Sequence, residues 1–172
     1  MSEMWDIVDE NRQKTGILHQ RGQPLQAGQY HLVVVVWIVN DKGEFLVARR
    51  TANKTYPLMW ETMGGSAVAG DDSLATALKE VSEEVGIKLD PTKGRLFHTY
   101  QRENDFLDTW LFHQNVDIED VVLCPDETCD AMWASEAKIR QMQKEGTFLS
   151  PPEFYPYFEE LMDFVGEYKP NM

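Results

Sequence analysis

Basic residues are scarce in this 172-residue chain: 16 Lys and Arg stand against 29 Asp and Glu, for a formal net charge of −13. A protein that grips a phosphate backbone needs basic patches, so nucleic-acid polymers are excluded as partners. The same shortage excludes docking on anionic membranes. Cysteine is nearly absent. Cys124 and Cys129 bracket PDET, and one Cys-x4-Cys with no second pair is a poor zinc signature; two reduced thiols suit a cytoplasmic setting. Long apolar runs are missing too, since the longest, Leu32 to Val39, falls far short of a bilayer. The opening MSEMWDIVDE is acidic and lacks an apolar h-region, so no secretory leader is expected.

What is present is ordinary for a folded domain: 42% apolar and 26% charged residues. Residues 1–172 are expected to form a single domain with a sizeable core. Residues 5–22 read as a hairpin, with Trp5 to Val8 and Gly16 to His19 as β-like runs around the polar turn DENRQKT. His31 to Val39 is apolar without interruption, which predicts a central strand buried on both faces. Asn40 to Gly43 is a tight turn, and Glu44 to Arg50 is expected to pair back. A polar loop from Thr51 to Pro57 leads to Trp60–Met63. Arg95 to Gln101 and Phe106 to His113 read as two more strands, and Ala131 to Ala134 as a short one. In the second of these, period-2 alternation puts Phe106, Asp108, Trp110 and Phe112 on one face. An acid among aromatics is either paired or facing a ligand, and pairing is the favoured reading for Asp108. Ser135 caps a helix running to about Lys144, ended by Gly146, and an amphipathic helix is expected over about 154–167. Strands, one early helix and two late ones suit an α+β layered fold.

The early helix carries the chemistry. Asp71, Asp72 and Ser73 supply an N-cap, Leu74, Ala77, Leu78, Val81 and Val85 make an apolar stripe, and Gly86 stands where a left-handed C-cap is wanted. Beside the stripe, Glu80, Glu83 and Glu84 share a wedge roughly 100° wide. Like charges at i,i+3 and i,i+4 repel unless a hard divalent cation turns them into ligands. The alternative is a solvated acidic face, common in an acidic protein.

Outward from that helix the residues run Gly, five spacers, an acid, seven spacers, a basic residue, Glu, an apolar residue, a spacer, Glu-Glu, a spacer, Gly, apolar. These are Gly65, Asp71, Lys79, Glu80, Val81, Glu83, Glu84, Gly86 and Ile87. The stretch 65–87 resembles the Nudix box, a loop-helix-loop that binds divalent metal and cleaves diphosphate-containing substrates. It departs from the family pattern at Asp71, where the family has Glu, and at Lys79, where it has Arg. Those positions tie the loop to the helix in the family, and lysine lacks the guanidinium fork, so a looser tie is expected. The resemblance implies a Nudix-type α/β/α sandwich around a mixed sheet, with Mg²⁺ or Mn²⁺ held by Glu80, Glu83, Glu84 and the carbonyl of Gly64 or Gly65.

Within that family, the run HLVVVVWIVNDKGEFLVARR, the spacing from Pro57 to Trp60 and DETCDAMW look like the isopentenyl-diphosphate-isomerase-like branch. The isomerases use a cysteine just before the box glycine and a metal histidine just after it; here those positions are Gly64 and Ser66. Without the thiol, the isomerase lacks its acid-base partner. His31 matches another isomerase metal histidine, against a plain strand-end role. Hydrolysis is therefore the expected chemistry, with isomerisation and a catalytically idle, nucleotide-binding domain as alternatives. A box glutamate, Glu80 or Glu83, or an acid of the later loop, Glu127 by choice, would orient water. Arg49 and Arg50 would contact phosphate unless they are solvated strand-end charges, and Glu61, Trp60 and Tyr100 would line the pocket, although Trp60 equally suits the core. The expected partner is a small-molecule diphosphate, with neither nucleic acid nor membrane, and a homodimer is compatible.

Overall fold

The computed structural model describes residues 2–150 and 153–167. Its first unit is a two-stranded antiparallel ribbon of β1 (Met4–Val8) and β2 (Lys14–Gln20), with Trp5 opposite His19. The turn is set by Asp9, whose carboxylate accepts from the amides of Asn11 and Gln13 at 2.8 and 2.9 Å. β2 begins two residues earlier than the sequence pattern indicates.

The main sheet is built on β3 (His31–Val39), which spans the stretch its apolar run predicts. On one side it runs parallel to β8 (Asp105–His113) in register from His31–Asp105 to Val39–His113, and β7 (Gly94–Gln101) completes that edge. β4 (Phe45–Arg50) was expected to pair back along β3, yet the two meet only at Val39–Phe45. The place beside β3 is taken by β6 (Met63–Ser66), pairing Val33–Val36 with Ser66–Met63, while β4 turns away to β5 (Trp60–Glu61) and β9 (Thr128–Ala134). The chain 60–66 thus bridges a splayed hairpin. Gly64 makes the close approach of β6 feasible, because a Cβ there would run into the Val34 carbonyl oxygen.

Alternation along β3 divides the core. Val34, Val36 and Ile38 pack with Ala77, Val81 and Val85 of α1 (Ser73–Val85), whose apolar stripe lies on the sheet as its spacing predicts. Trp37 and Val39 face the other way, onto α2 (Glu136–Lys144) and α3 (Phe158–Glu167). The result is an α+β sandwich with a mixed sheet between helices. α3 starts four residues later than expected, since Pro156 cannot sit in a helix interior. Residues 153–157 fold over the core instead, burying Tyr155 and Tyr157, and the Tyr157 hydroxyl accepts from Trp37 Nε1 at 3.0 Å.

Asp108 is paired, as favoured. It is fully buried and takes both Arg12 amino groups at 2.8 and 2.7 Å, the Ser73 hydroxyl at 2.6 Å and the Thr99 hydroxyl at 2.9 Å. Burial alone pushes its carboxyl up, but the guanidinium and hydroxyls outweigh it and hold the group below its ordinary range. The unfolded chain therefore takes up this proton first as pH falls. The stability that Asp108 contributes is complete above about pH 4 and fades through its lowered folded pKa. Denaturant midpoints measured from pH 5 to pH 2 should fall more steeply for the native chain than for Asp108→Asn; parallel curves would contradict this.

Candidate active site

Two local devices hold α1 in place. Asp72 is the N-cap, accepting from the Ala75 amide at 2.8 Å, and Gly86 closes the helix with a left-handed φ of 69° and a bond to the Ser82 carbonyl at 3.0 Å. The loop before β9 then docks on the C-terminal end. Cys124 N and Thr128 Oγ1 both donate to the Glu84 carbonyl, at 3.2 and 2.7 Å, and Val122 N donates to the Val85 carbonyl at 2.9 Å. A side chain on Gly86 would collide with Val122.

With the stripe against the sheet, the three box glutamates take different positions. Glu84 is buried at 7% exposure and accepts from the Gly64 amide. Glu80 is half-buried with its carboxyl group against the α-carbon of Gly65, occupying the space a Cβ would fill. Glu83 is exposed. Burial, then the charges of Glu61 and Glu80, push Glu84 well up from its ordinary range, and burial, then Glu83, push Glu80 up to about 7. Among the described residues, no three His, Cys, Asp or Glu side chains are already gathered as a metal-ligand set.

Glu61 and Glu127 join this edge. Glu61 receives Arg50 Nη1 at 2.8 and 2.9 Å; burial raises its carboxyl in spite of that cation. Glu127 is paired with Lys54, whose charge also reaches Glu61 and Glu84. Five carboxylates thus stand against Arg50, Lys54 and Lys79, whose charge reaches Glu80 but is shared with Asp71. That excess of negative charge around partly buried oxygen donors suits a hard divalent cation.

The strand period separates the two arginines. Arg50 points with Ala48 toward α1, whereas Arg49 lies over the Trp60 ring at 5.9 Å on the opposite face, its Nε bonded to the Leu58 carbonyl at 2.9 Å. Trp60 packs against the α2–α3 core. Tyr100 is exposed on β7, with β8 and β3 between it and β6, about 14 Å across at ordinary strand spacing. The structure brings neither Arg49 nor Tyr100 to the carboxylates. His31 lies flat against Trp5 with ring centroids 3.8 Å apart, its Nδ1 unbonded, and Asp105 4.0 Å from its Nε2. Lys54 carries no signal of its own in the sequence; its place in a polar loop between an arginine-ended strand and the box glycines is the clue that locates it.

Asp71 and Lys79 form an ion pair at 3.7 Å, too long for a hydrogen bond, with both side chains partly exposed. Such a pair contributes about 0–1 kcal/mol. Asp71→Glu and Lys79→Arg singly should be neutral or mildly destabilising. The double change should match or exceed native stability, because it restores a carboxylate of full length to a guanidinium fork. Strictly additive effects in that cycle would mean that the two positions do not interact.

A NUDIX domain profile matches residues 29–158. An uncharacterized Nudix hydrolase of Listeria monocytogenes is 36% identical over 158 residues, spanning 91% of this chain and 90% of its own length. DR0079 from Deinococcus radiodurans superposes with a TM-score of 0.71 over 95% of this chain and 99% of that one, at 17% identity. A bifunctional NMN adenylyltransferase/ADP ribose pyrophosphatase from Francisella tularensis, complexed with AMP and a manganese ion, gives a TM-score of 0.60 at 18% identity over 84% of this chain and 44% of that one. The profile covers most of the sequence and the Listeria protein is similar along nearly all of it, so the chain belongs to the Nudix hydrolase family.

Proposed function

We propose that the chain is a divalent-metal-dependent hydrolase that cleaves the diphosphate linkage of a nucleotide or another small organic diphosphate. One observation carries the reading: five carboxylates, three of them pushed up by burial and mutual charge, stand around the edge of β6 with Arg50 and Lys54 among them. Glu80, Glu83 and Glu84, with the Gly65 carbonyl, would hold the ion, Mg²⁺ by preference and Mn²⁺ in its place. When bound, such an ion neutralises diphosphate charge and lowers the pKa of an attacking water. Arg50 and Lys54 offer cations at the same edge, each now held by a carboxylate that an entering diphosphate would displace. Glu127, released from Lys54 in that exchange, is our choice for orienting the water. The free thiols of Cys124 and Cys129 fit a reducing, cytoplasmic setting.

Hydrolysis is preferred to isomerisation because Gly64 and Ser66 stand where the isomerases have cysteine and histidine. The long Asp71–Lys79 contact favours one competing reading, an idle nucleotide-binding domain. Incubation with nucleoside di- and triphosphates, sugar nucleotides, dinucleotides and isoprenoid diphosphates in Mg²⁺ separates these. Phosphate release from at least one class is expected, with no interconversion of isopentenyl and dimethylallyl diphosphate. Isomerisation above a heat-killed control, or nucleotide binding with no release from any class, would overturn the proposal.

A further inference from the structure

The N-terminal ribbon precedes the region matched by the family profile, which begins at residue 29. It is nevertheless bonded to the box loop between β6 and α1. Ala69 N donates to the Met4 carbonyl at 2.8 Å, and Gly70 N donates to Asp6 Oδ2 at 2.8 Å, where Lys14 also pairs with Asp6 at 2.8 Å. A third tie is longer in sequence. Arg12, at a left-handed φ of 60° in the ribbon's turn, forks onto Asp108, and the same carboxylate accepts from Ser73, the first residue of α1. Ser73 Oγ in turn accepts from Trp110 Nε1 at 2.9 Å, so its hydroxyl is fixed from both sides.

These ties meet one mechanical need. The C-terminal end of α1 is held by the 122–128 loop. The N-terminal end follows the loop 67–72, which lies outside the named strands and contains Gly70 at φ 96°. The position of Glu80 over Gly65 depends on both ends, because a rigid helix transmits a shift at Ser73 to a carboxylate two turns away.

We propose that the ribbon 4–20 is a brace that sets the box helix, with Asp6 and the Arg12–Asp108 pair as positioning residues for the metal-binding glutamates. This rests on reading the box as the hydrolytic site. The three ties act on the loop and on Ser73 rather than on substrate. Losing them leaves the sheet paired and loosens the carboxylates relative to β6.

Two variants test this in the full chain. Asp6→Ala removes the acceptor for Gly70, and Arg12→Ala with Asp108→Asn removes the fork without leaving an uncompensated buried charge. Both should raise the dissociation constant for Mn²⁺, read by electron paramagnetic resonance, by about tenfold or more, the scale of lost outer-shell support. In metal-free protein, amides of 67–75 should exchange faster with solvent while those of β3 keep their protection. Asp6→Asn retains an acceptor and should restore both readings. Arg140→Ala, which breaks the Glu136 and Glu159 pairs on the far side of the sheet, should change neither. Native Mn²⁺ affinity and native loop exchange in both brace variants would overturn the brace. Should the unaltered chain bind Mn²⁺ yet release no phosphate, the hydrolase reading fails and these measurements still decide the brace. Should it bind no Mn²⁺, the exchange of 67–75 alone decides it.

Discussion

Glu84→Gln is expected to lower diphosphate hydrolysis by about a hundredfold or more, and Glu83→Gln by a similar factor, the scale of a lost metal-ion contribution of several kcal/mol. Glutamine keeps the size of the side chain and one acceptor oxygen, so the loss reports charge at the metal rather than packing. The two variants should differ in stability. Glu84 is buried beside Glu61 and Glu80 and is held against its preferred charged state, whereas Glu83 is exposed. Without metal, Glu84→Gln should therefore melt higher than the native chain, and Glu83→Gln should keep its stability within about 0.5 kcal/mol, since only an exposed like-charge pair is relieved. Full activity in both would reduce the acidic wedge to a solvated face.

The neighbouring glycines should separate fold from chemistry. A Cβ on Gly64 meets the Val34 carbonyl oxygen and comes to 3.2 Å from the Val35 α-carbon, and backbone inside a paired sheet cannot give way locally. Gly64→Ala should cost about 3 kcal/mol, at the upper end for overpacking, or roughly 6–12 °C of melting temperature for a chain of this size. A Cβ on Gly65 meets the Glu80 carboxyl group, the free end of a flexible side chain. Gly65→Ala should hold its melting temperature within a few degrees but lose about tenfold or more in hydrolysis, because Glu80 is pushed off its place. Calorimetry and phosphate release on the same samples check both. Equal melting losses in the two variants would mean that Glu80 is not free to move.

The helix that carries the glutamates was legible because its signals are local. Asp72, the Leu74–Val85 stripe and Gly86 lie within one helix and its caps, and the glutamates take their bearing from that stripe. The faces of β8 followed from alternation, and the pairing of Asp108 from its aromatic neighbours. Its partner did not, because Arg12 lies 96 residues away in a surface turn. Strand order likewise depends on contacts across the chain. The turn at Asn40–Gly43 predicts a hairpin, but β6 takes the same side of β3, where Gly64 lets it come close. Tyr100 falls away from the site for the same reason: its place in β7 depends on strand order, not on its sequence neighbours. Alternation along β4 does separate Arg49 from Arg50 in the sequence itself. Which face holds the glutamates is fixed only when α1 packs.

The most direct test of the account is hydrolysis of the best diphosphate substrate by the unaltered chain, followed with Mg²⁺, after EDTA, and after Mg²⁺ is restored. The account predicts that release falls to background with the chelator and recovers with the ion; hydrolysis that continues in EDTA would contradict it.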